Sequence, residues 1–515
     1  MMQHLPALPL LIPLLAGALM LLVERRGIVA QRVVAWLSMA AMLVAAAFLL
    51  HQADQGPLLV YLLGDWPARL GIALMVDRVN ALLVLTSALL AVAALLYACA
   101  GWDRRAPHFH ALFQLQLAGL NGAFLTGDLF NLFVCFELML IASYALLQHG
   151  GGAQRLKVGM HYVVLNLIGS VLFLLAVGLL YRVAGTLNMA QLAIALGNAA
   201  PEQAPWIRAG GLLLLLVFLL KAAAAPLYLW LPGTYGAASA PVAALFTVLT
   251  KVGGYAVARV VSLVFGASPA MEAIEAMVLP AALVTLVCAG LGAFASLTLT
   301  QLTSWLALGS SATLLAAVGL FTAAGLGGGF YYLFASTLAI AALFLLADAL
   351  AGARGSFGDR LCRAPRMHGA GRVGTLYFIV AAAVAGLPPF AGFLGKLLIL
   401  QGAGPMPWFW TIVLGVSLLN LVALARAGTR LFWSAAPEPG NGLPSSASAM
   451  RLAPVVLLVL AIAGLTIFAG PVDRYARAAA VGIIGPGEYI RSVLGDDAVR
   501  RSMRVDEHDP SGARE

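Results

Sequence analysis

The sequence predicts an all-α polytopic membrane protein of about fourteen transmembrane helices, and three observations carry that prediction. Apolar residues make up 62% of the 515 positions and charged residues 10%, with a mean hydropathy of +0.96. That leaves too little polar material to coat a soluble globule. The apolar residues fall in runs of about 20, the length that crosses roughly 30 Å of hydrocarbon. The basic residues lie mostly between the runs and favour alternate loops.

Taken in order, the runs cover 5–23, 29–50, 76–100, 109–126, 129–148, 159–182, 208–230, 238–262, 277–297, 300–322, 328–350, 373–400, 408–430 and 452–470. The first is followed by Glu24, Arg25, Arg26 and Arg32, which reads as a span with a positive flank rather than a cleaved leader. With the N-terminus outside, the odd loops hold Arg25, Arg26, Arg32, Arg104, Arg105, Arg155, Lys157, Arg354, Arg360, Arg363, Arg366, Arg372, Arg426, Arg430 and Arg451. The even loops hold only Arg69, Arg78, Arg182, Arg208 and Arg259. This asymmetry predicts that both termini face out of the cell. After Pro471 the chain turns polar, with Gly485-Pro486-Gly487 and a mixed-charge end from Asp496 to Glu515, and reads as a weakly ordered extension.

A formal charge of +9 does not point to nucleic acid, because the cations sit in short interhelical loops. Cys99, Cys135, Cys288 and Cys362 are scattered without CxxC spacing and imply neither disulfide nor metal. No Gly-rich phosphate loop and no Ser/His/Asp set is visible, which disfavours an enzyme.

The basic residues divide by type. Arginine dominates the loops, whereas of the four lysines, Lys157, Lys221, Lys251 and Lys396, the last three interrupt apolar runs. A lysine at a helix centre costs about 2.5–3.5 kcal/mol even on mild insertion scales, so an intramembrane lysine is a functional candidate. Arginine holds its proton in proteins, whereas a desolvated lysine can cycle between charged and neutral forms. Glu137 lies nine residues beyond Asp128, roughly 13 Å into its span. Lys221 and Lys251 each lie thirteen residues from a span end, roughly 20 Å along the helix. Asp77, Asp128 and Asp348 sit near span ends and read as solvated caps.

Two spans carry breakers beside their lysine. Pro226 follows Lys221 and lacks the N–H that would bond back to Ala222, so that carbonyl needs a new partner inside the bilayer. Gly386-Leu387-Pro388-Pro389 precedes Lys396. Paired interrupted helices in corresponding halves are a signature of inverted-repeat transporters. These residues predict a relay in which Glu137 pairs with Lys221 and the proton passes inward to Lys251. Ser310, Ser311, Ser336 and Thr337 are candidates for a polar bridge, and His149 and His161 mark where protons would be taken in. Two other readings stand beside it: a static Glu137–Lys221 pair that only fixes helix contacts, and a pumping or scaffold module of a redox complex.

Three blocks, GDLFNLFVCFELMLIASYALLQHG (127–150), FLLKAAAAPLYLWLPGTYGAASAPVAALFTVLTKVGGYAV (218–257) and GLPPFAGFLGKLLIL (386–400), resemble the D subunits of Mrp/Pha-type multisubunit Na+(K+)/proton antiporters. That family is similar to the antiporter-like subunits of complex I and membrane-bound hydrogenases. The resemblance implies fourteen helices with two inverted five-helix repeats, at 109–262 (helices 4–8) and 277–430 (helices 9–13), and broken seventh and twelfth helices. Residues 1–108 would hold helices 1–3, 431–470 a linker and helix 14, and 471–515 the tail. It assigns the relay to Glu137, Lys221, Lys251 and Lys396. It also implies work inside a hetero-oligomer of antiporter subunits in the bacterial cytoplasmic membrane, exchanging Na+ or K+ for protons with no cofactor of its own. Many relatives carry a histidine in the eleventh helix where Phe334-Ala335-Ser336-Thr337-Leu338 has alanine. The route from Lys251 to Lys396 is correspondingly sparser, and water held by the serines and threonine would have to fill it.

Overall fold

The computed structural model describes residues 2–68, 71–365, 367–433 and 448–495. Arg69, Arg366 and the end from Asp496 to Glu515 lie outside these residues. The helices are α1 (Leu8–Leu22), α2 (Ile28–Gln55), α3 (Arg78–Ala98), α4 (Phe109–Leu125), α5 (Leu129–Gln148), α6 (Ala153–Ala184), α7 (Met189–Gly197), α8 (Ala204–Lys221), α9 (Trp230–Ala237) and α10 (Ala240–Ala256). They continue with α11 (Met271–Ala295), α12 (Leu299–Val318), α13 (Ala323–Ala353), α14 (Ala370–Ala385), α15 (Ala391–Gly402), α16 (Pro407–Gly428), α17 (Ala449–Ile467), α18 (Ala469–Ile484) and α19 (Gly487–Leu494). A hairpin of β1 (Leu59–Leu62) and β2 (Ala73–Val76), in the register Leu59 with Val76, links α2 to α3.

Among the described residues twelve helices are long and apolar enough to cross a membrane. Of the fourteen expected spans, the fourth is the 17-residue α4, and the twelfth is split into α14 and α15. The seventh is likewise split, its first part ending at Lys221 and its second beginning at Trp230.

Burial sorts the helices. The membrane windows of α10 and α13 are 94% buried, whereas that of α17 is 22% buried. The molecule is therefore built around α3, α10, α12 and α13, with α1, α2, α6, α16 and α17 at the rim. Short polar side chains start several helices: Asp77 accepts from the Asn80 amide at 3.0 Å, Asp128 from Asn131 at 2.8 Å, and Thr298 from Gln301 at 3.1 Å.

Three expectations need correction. The chain after Pro471 is not a loose extension up to Leu494. It folds as α18 and α19, because Ala476, Ala479, Ala480 and Ile483 recur on one helical face and bury against α13 and α3. Arg259 is not a loop residue either. Helix α10 continues as a wider π-helical segment, Val257–Phe265, that carries Arg259 inside the molecule, 4% exposed. It is held there by Asp77, with Asn80 Oδ1 at 2.9 Å. A buried guanidinium needs such partners, and runs without strong polar residues conceal this one. Asp348 is likewise bonded rather than solvated, accepting from Tyr97 Oη at 2.6 Å and Trp102 Nε1 at 3.2 Å.

Candidate functional site

The break in the seventh span comes first because it positions Lys221. Helix α8 stops at this residue, Ala223 takes a left-handed φ of +55°, and the Ala225–Pro226 peptide is cis. The Ala224 amide reaches back to the Leu219 carbonyl at 2.8 Å, and that of Leu227 to Ala224 at 2.8 Å. The Ala222 carbonyl, which Pro226 cannot serve, accepts from Ser311 Oγ at 2.7 Å. Thr285 Oγ1 accepts the Ala225 amide at 2.7 Å, and Trp230 Nε1 donates to the Leu220 carbonyl at 3.1 Å. The exposed backbone of the break is thus satisfied by side chains from α9, α11 and α12. Helix α10 comes in against it at Gly253, where a Cβ would stand 2.3 Å from the Ala222 nitrogen, so only glycine fits.

Lys221 is 6% exposed and donates to Asn166 Oδ1 at 3.2 Å, with the Phe136 ring centroid 6.0 Å away. Glu137 accepts from Ser170 Oγ. Among the described residues no ion pair joins Glu137 to Lys221, which corrects the expected direct contact. The two charges are instead presented by one helix, α6, whose Asn166 and Ser170 are four residues apart and so share a face. The sequence carries a signal for this, an Asn and a Ser at helical spacing within HYVVLNLIGSVLFLL, but nothing in it says which helix that face meets. Glu137 is only half-buried, on a face of α5 shared with exposed Phe130, Val134 and Ile141.

Lys251, on α10, is 1% exposed and donates to Ser310 Oγ at 2.5 Å. On the far side of Ser310 lies a cavity of about 20 Å³, measured by the centres of a water-sized sphere, which is room for a water molecule. Ser310 and Thr313 of α12, Tyr332 and Ser336 of α13, and Ser417 and Asn420 of α16 line it together with Lys396. The Asn420 carbonyl oxygen is buried with no partner among the described residues, as an acceptor for such a water would be.

Of the four expected bridge residues, Ser310 and Ser336 line this cavity, Ser311 caps the break, and Thr337 Oγ1 turns back to the Leu333 carbonyl at 2.6 Å. Ser417 and Asn420 supply polar groups that sequence reasoning does not assign to this gap. Ser417 and Asn420, three residues apart within VLGVSLLNLV, repeat the kind of signal seen in α6.

The second break has the same form as the first, residue for residue. Gly386 has φ +78°, the Pro388–Pro389 peptide is cis, the Leu387 amide reaches the Ala382 carbonyl at 3.0 Å, and the Phe390 amide reaches Leu387 at 3.0 Å. Here the freed carbonyl, Ala385, accepts from Lys396 Nζ itself at 2.9 Å, and Ser417 Oγ stands 3.1 Å from the same nitrogen. Gly395 lets α15 approach α13, since a Cβ there would stand 2.8 Å from the Tyr332 Cα.

His149 and His161 part company. His149 is 3% exposed, with Nε2 donating to the Trp102 carbonyl at 3.0 Å, and burial lowers its pKa so that it is neutral near pH 7. His161 faces outward on α6. Nearby, Cys99, Asp103 and His110 converge within 4.8 Å. Both Asp103 oxygens are bound by Arg32, at 2.7 and 2.9 Å, so the carboxylate is already neutralised by a cation.

Residues 126–421 match the family described as NADH:quinone oxidoreductase/Mrp antiporter, TM. The D subunit of a probable K(+)/H(+) antiporter of Rhizobium meliloti is 39% identical over 96% of this chain and 98% of its own. The D subunit of a Na(+)/H(+) antiporter of Bacillus subtilis is 35% identical over 96% of this chain and all of its own. A chain in the Mrp complex structure from Dietzia sp. superposes with a TM-score of 0.86 at 25% identity, covering 96% of this chain and 99% of that one.

Proposed function

Because the chain belongs to the NADH:quinone oxidoreductase/Mrp antiporter family, we propose that it is the proton-translocating subunit of a multisubunit monovalent-cation/proton antiporter. In this reading it is a transporter subunit rather than an enzyme. It carries protons through Glu137, Lys221, Lys251 and Lys396 in exchange for Na+ or K+ moved by the assembled complex.

One observation carries the reading. Lys221 and Lys251 are buried and Lys396 is half-buried at membrane depth, and each is held by a neutral oxygen: Asn166 for Lys221, Ser310 for Lys251, and the Ala385 carbonyl with Ser417 for Lys396. A lysine locked to a carboxylate keeps its proton, whereas one held by an amide, hydroxyl or carbonyl oxygen can surrender it when a neighbouring charge changes. Proton occupancy at one site then biases the next by Coulomb coupling through a poorly screened interior. The water-sized cavity carries the step from Lys251, through Ser310, to Lys396.

Glu137 sits on the lateral face of α5, half open at membrane depth, a costly position unless a partner subunit covers it. This supports work inside a hetero-oligomer. The recurring break supports two repeats at 109–262 and 277–430, and the loop arginines support both termini on the external side of a bacterial cytoplasmic membrane. The relatives named for K+ and for Na+ leave both cations in the proposal.

The test is cation-driven proton flux in everted vesicles carrying the assembled complex. Lys221→Ala and Glu137→Ala are expected to abolish flux with assembly intact, and retained flux in either would remove the relay. The family's link to NADH:quinone oxidoreductase favours a second reading, a pumping module of a redox complex. Flavin or iron–sulfur subunits isolated with the chain would select it.

A further inference from the structure

Away from the relay, a groove of about 790 Å³ opens on the lateral surface between α2, α3, α13, α17 and α18. Its floor is Phe334 and Leu338 of α13, and its walls are Leu85 and Leu89 of α3 and Leu465 of α17. Its volume falls in the range of small-molecule sites. At one end the lining changes character, to Asp54, Arg78, Arg474 and Tyr475.

We propose that this groove binds one anionic phospholipid, its acyl chain along the apolar channel and its phosphodiester between Arg78, Arg474 and Tyr475.

Three observations favour this occupant. The groove follows α3 from Arg78 to Leu89, eleven residues or roughly 16 Å. That is about one leaflet of a bilayer whose hydrocarbon is about 30 Å thick. A partner's transmembrane helix would need a channel through both leaflets, whereas an acyl chain needs one.

The polar end also holds donors without an acceptor, although Arg78 Nη2 donates to the Asp54 carbonyl at 3.0 Å. Tyr475 Oη and Arg78 Nε are buried atoms with no hydrogen-bond partner among the described residues, the Asp54 carboxylate standing 3.7 Å from Arg78 Nε. Buried donors of this kind await an acceptor, and phosphate oxygens fit both a phenol and a guanidinium. Finally, two arginines against one aspartate leave the rim with one uncompensated positive charge, which matches a single phosphodiester. Helix α18 lies at the end of the transmembrane α17 and presents Arg474 and Tyr475 at headgroup level, where cations and aromatics bind lipid.

The experiment uses the purified complex in phosphatidylcholine nanodiscs doped with phosphatidylglycerol bearing a mid-chain diazirine. Cross-links mapped by mass spectrometry are expected on this chain at the groove walls, around Leu85, Leu89 and Leu465, and unlabelled phosphatidylglycerol should compete them away. Gly464→Phe places a ring in the channel from a position where a Cβ meets nothing within 4 Å, and should abolish these cross-links. Arg78→Gln and Arg474→Gln should each weaken competition roughly fivefold, and Tyr475→Phe should weaken it in a complex that folds as the parent does.

Labelling spread evenly around the lipid-facing helices, or groove labelling equal with a phosphatidylcholine probe and unmoved by the arginine variants, would overturn the proposal. So would a cysteine at Leu465 that forms a disulfide to a helix of another subunit, because the groove would then hold protein.

Discussion

The break after Lys221 and the break before Lys396 are one backbone device used in opposite senses. Both open with a left-handed residue, Ala223 or Gly386, both place a cis peptide before the last proline, and both close through the same pair of amide contacts. In the first break the lysine ends the incoming helix, and a foreign hydroxyl, Ser311, takes the freed carbonyl. In the second the lysine lies on the outgoing helix and takes the freed carbonyl itself. Lys221 is therefore free to answer to α6 and Glu137, whereas Lys396 is coupled to the break that positions it. The same local chemistry leaves one lysine bonded to a side-chain amide of α6 and the other bonded to backbone.

The largest effect should separate the two lysines by what each must release. Lys221→Arg keeps charge and a donor toward Asn166 but cannot give up a proton, and is expected to lose at least about 100-fold of flux, like Lys221→Ala. Arginine supporting transport in everted vesicles would break the relay half of the comparison.

Lys396→Ala should lose flux and also strand the Ala385 carbonyl, lowering stability by about 1–3 kcal/mol. Lys221→Ala should leave its break intact. Thermal denaturation of the complex, read beside flux, shows whether Lys396 alone moves both.

Ser311→Ala is the counterpart in the first break. It should cost a similar 1–3 kcal/mol while flux falls less than about tenfold, since Ser311 holds backbone rather than a proton. A flux loss as deep as that of Lys221→Ala would make Ser311 part of the relay.

Ser170→Ala removes the hydroxyl on Glu137 without touching either break, and a flux loss of about threefold to tenfold is expected, in line with one lost hydrogen bond of about 0.5–1.5 kcal/mol.

The smallest effect on flux lies outside both halves. Asp103 is buried, which pushes its pKa up, but bonds from His110 and Arg32 outweigh that and hold it at about 2. A depressed folded value means that its contribution to stability is complete above the unfolded pKa of about 3.9. It is lost as pH falls through about 2. Asp103→Asn should lower the melting temperature at pH 7, narrow the difference from the parent towards pH 2, and leave flux per assembled complex unchanged.

Much of the fold was legible because a bilayer simplifies the reading. Span limits such as 109–126 and 129–148 fall within a residue of α4 and α5, since length and apolarity decide a crossing. Helices α18 and α19 were missed because their burying face is mostly alanine with a few larger apolar residues, too weak in hydropathy to stand out from a polar tail. Arg259 was misplaced because its partner, Asp77, lies far away in sequence.

The candidate site divides the same way. Sequence alone marked Glu137, Lys221, Lys251 and Lys396 as charges within apolar runs, where a lysine or glutamate is conspicuous, and it marked both breaks through their prolines, but it left Arg259 in a loop. The tertiary structure decided what each charge touches. Asn166 and Ser170 come between Glu137 and Lys221, Ser311 rather than water takes the Ala222 carbonyl, and Lys396 bonds to its own break. The physical reason is that the cost of burying a charge depends on its residue type, whereas the partner that repays it depends on which distant helix face arrives beside it.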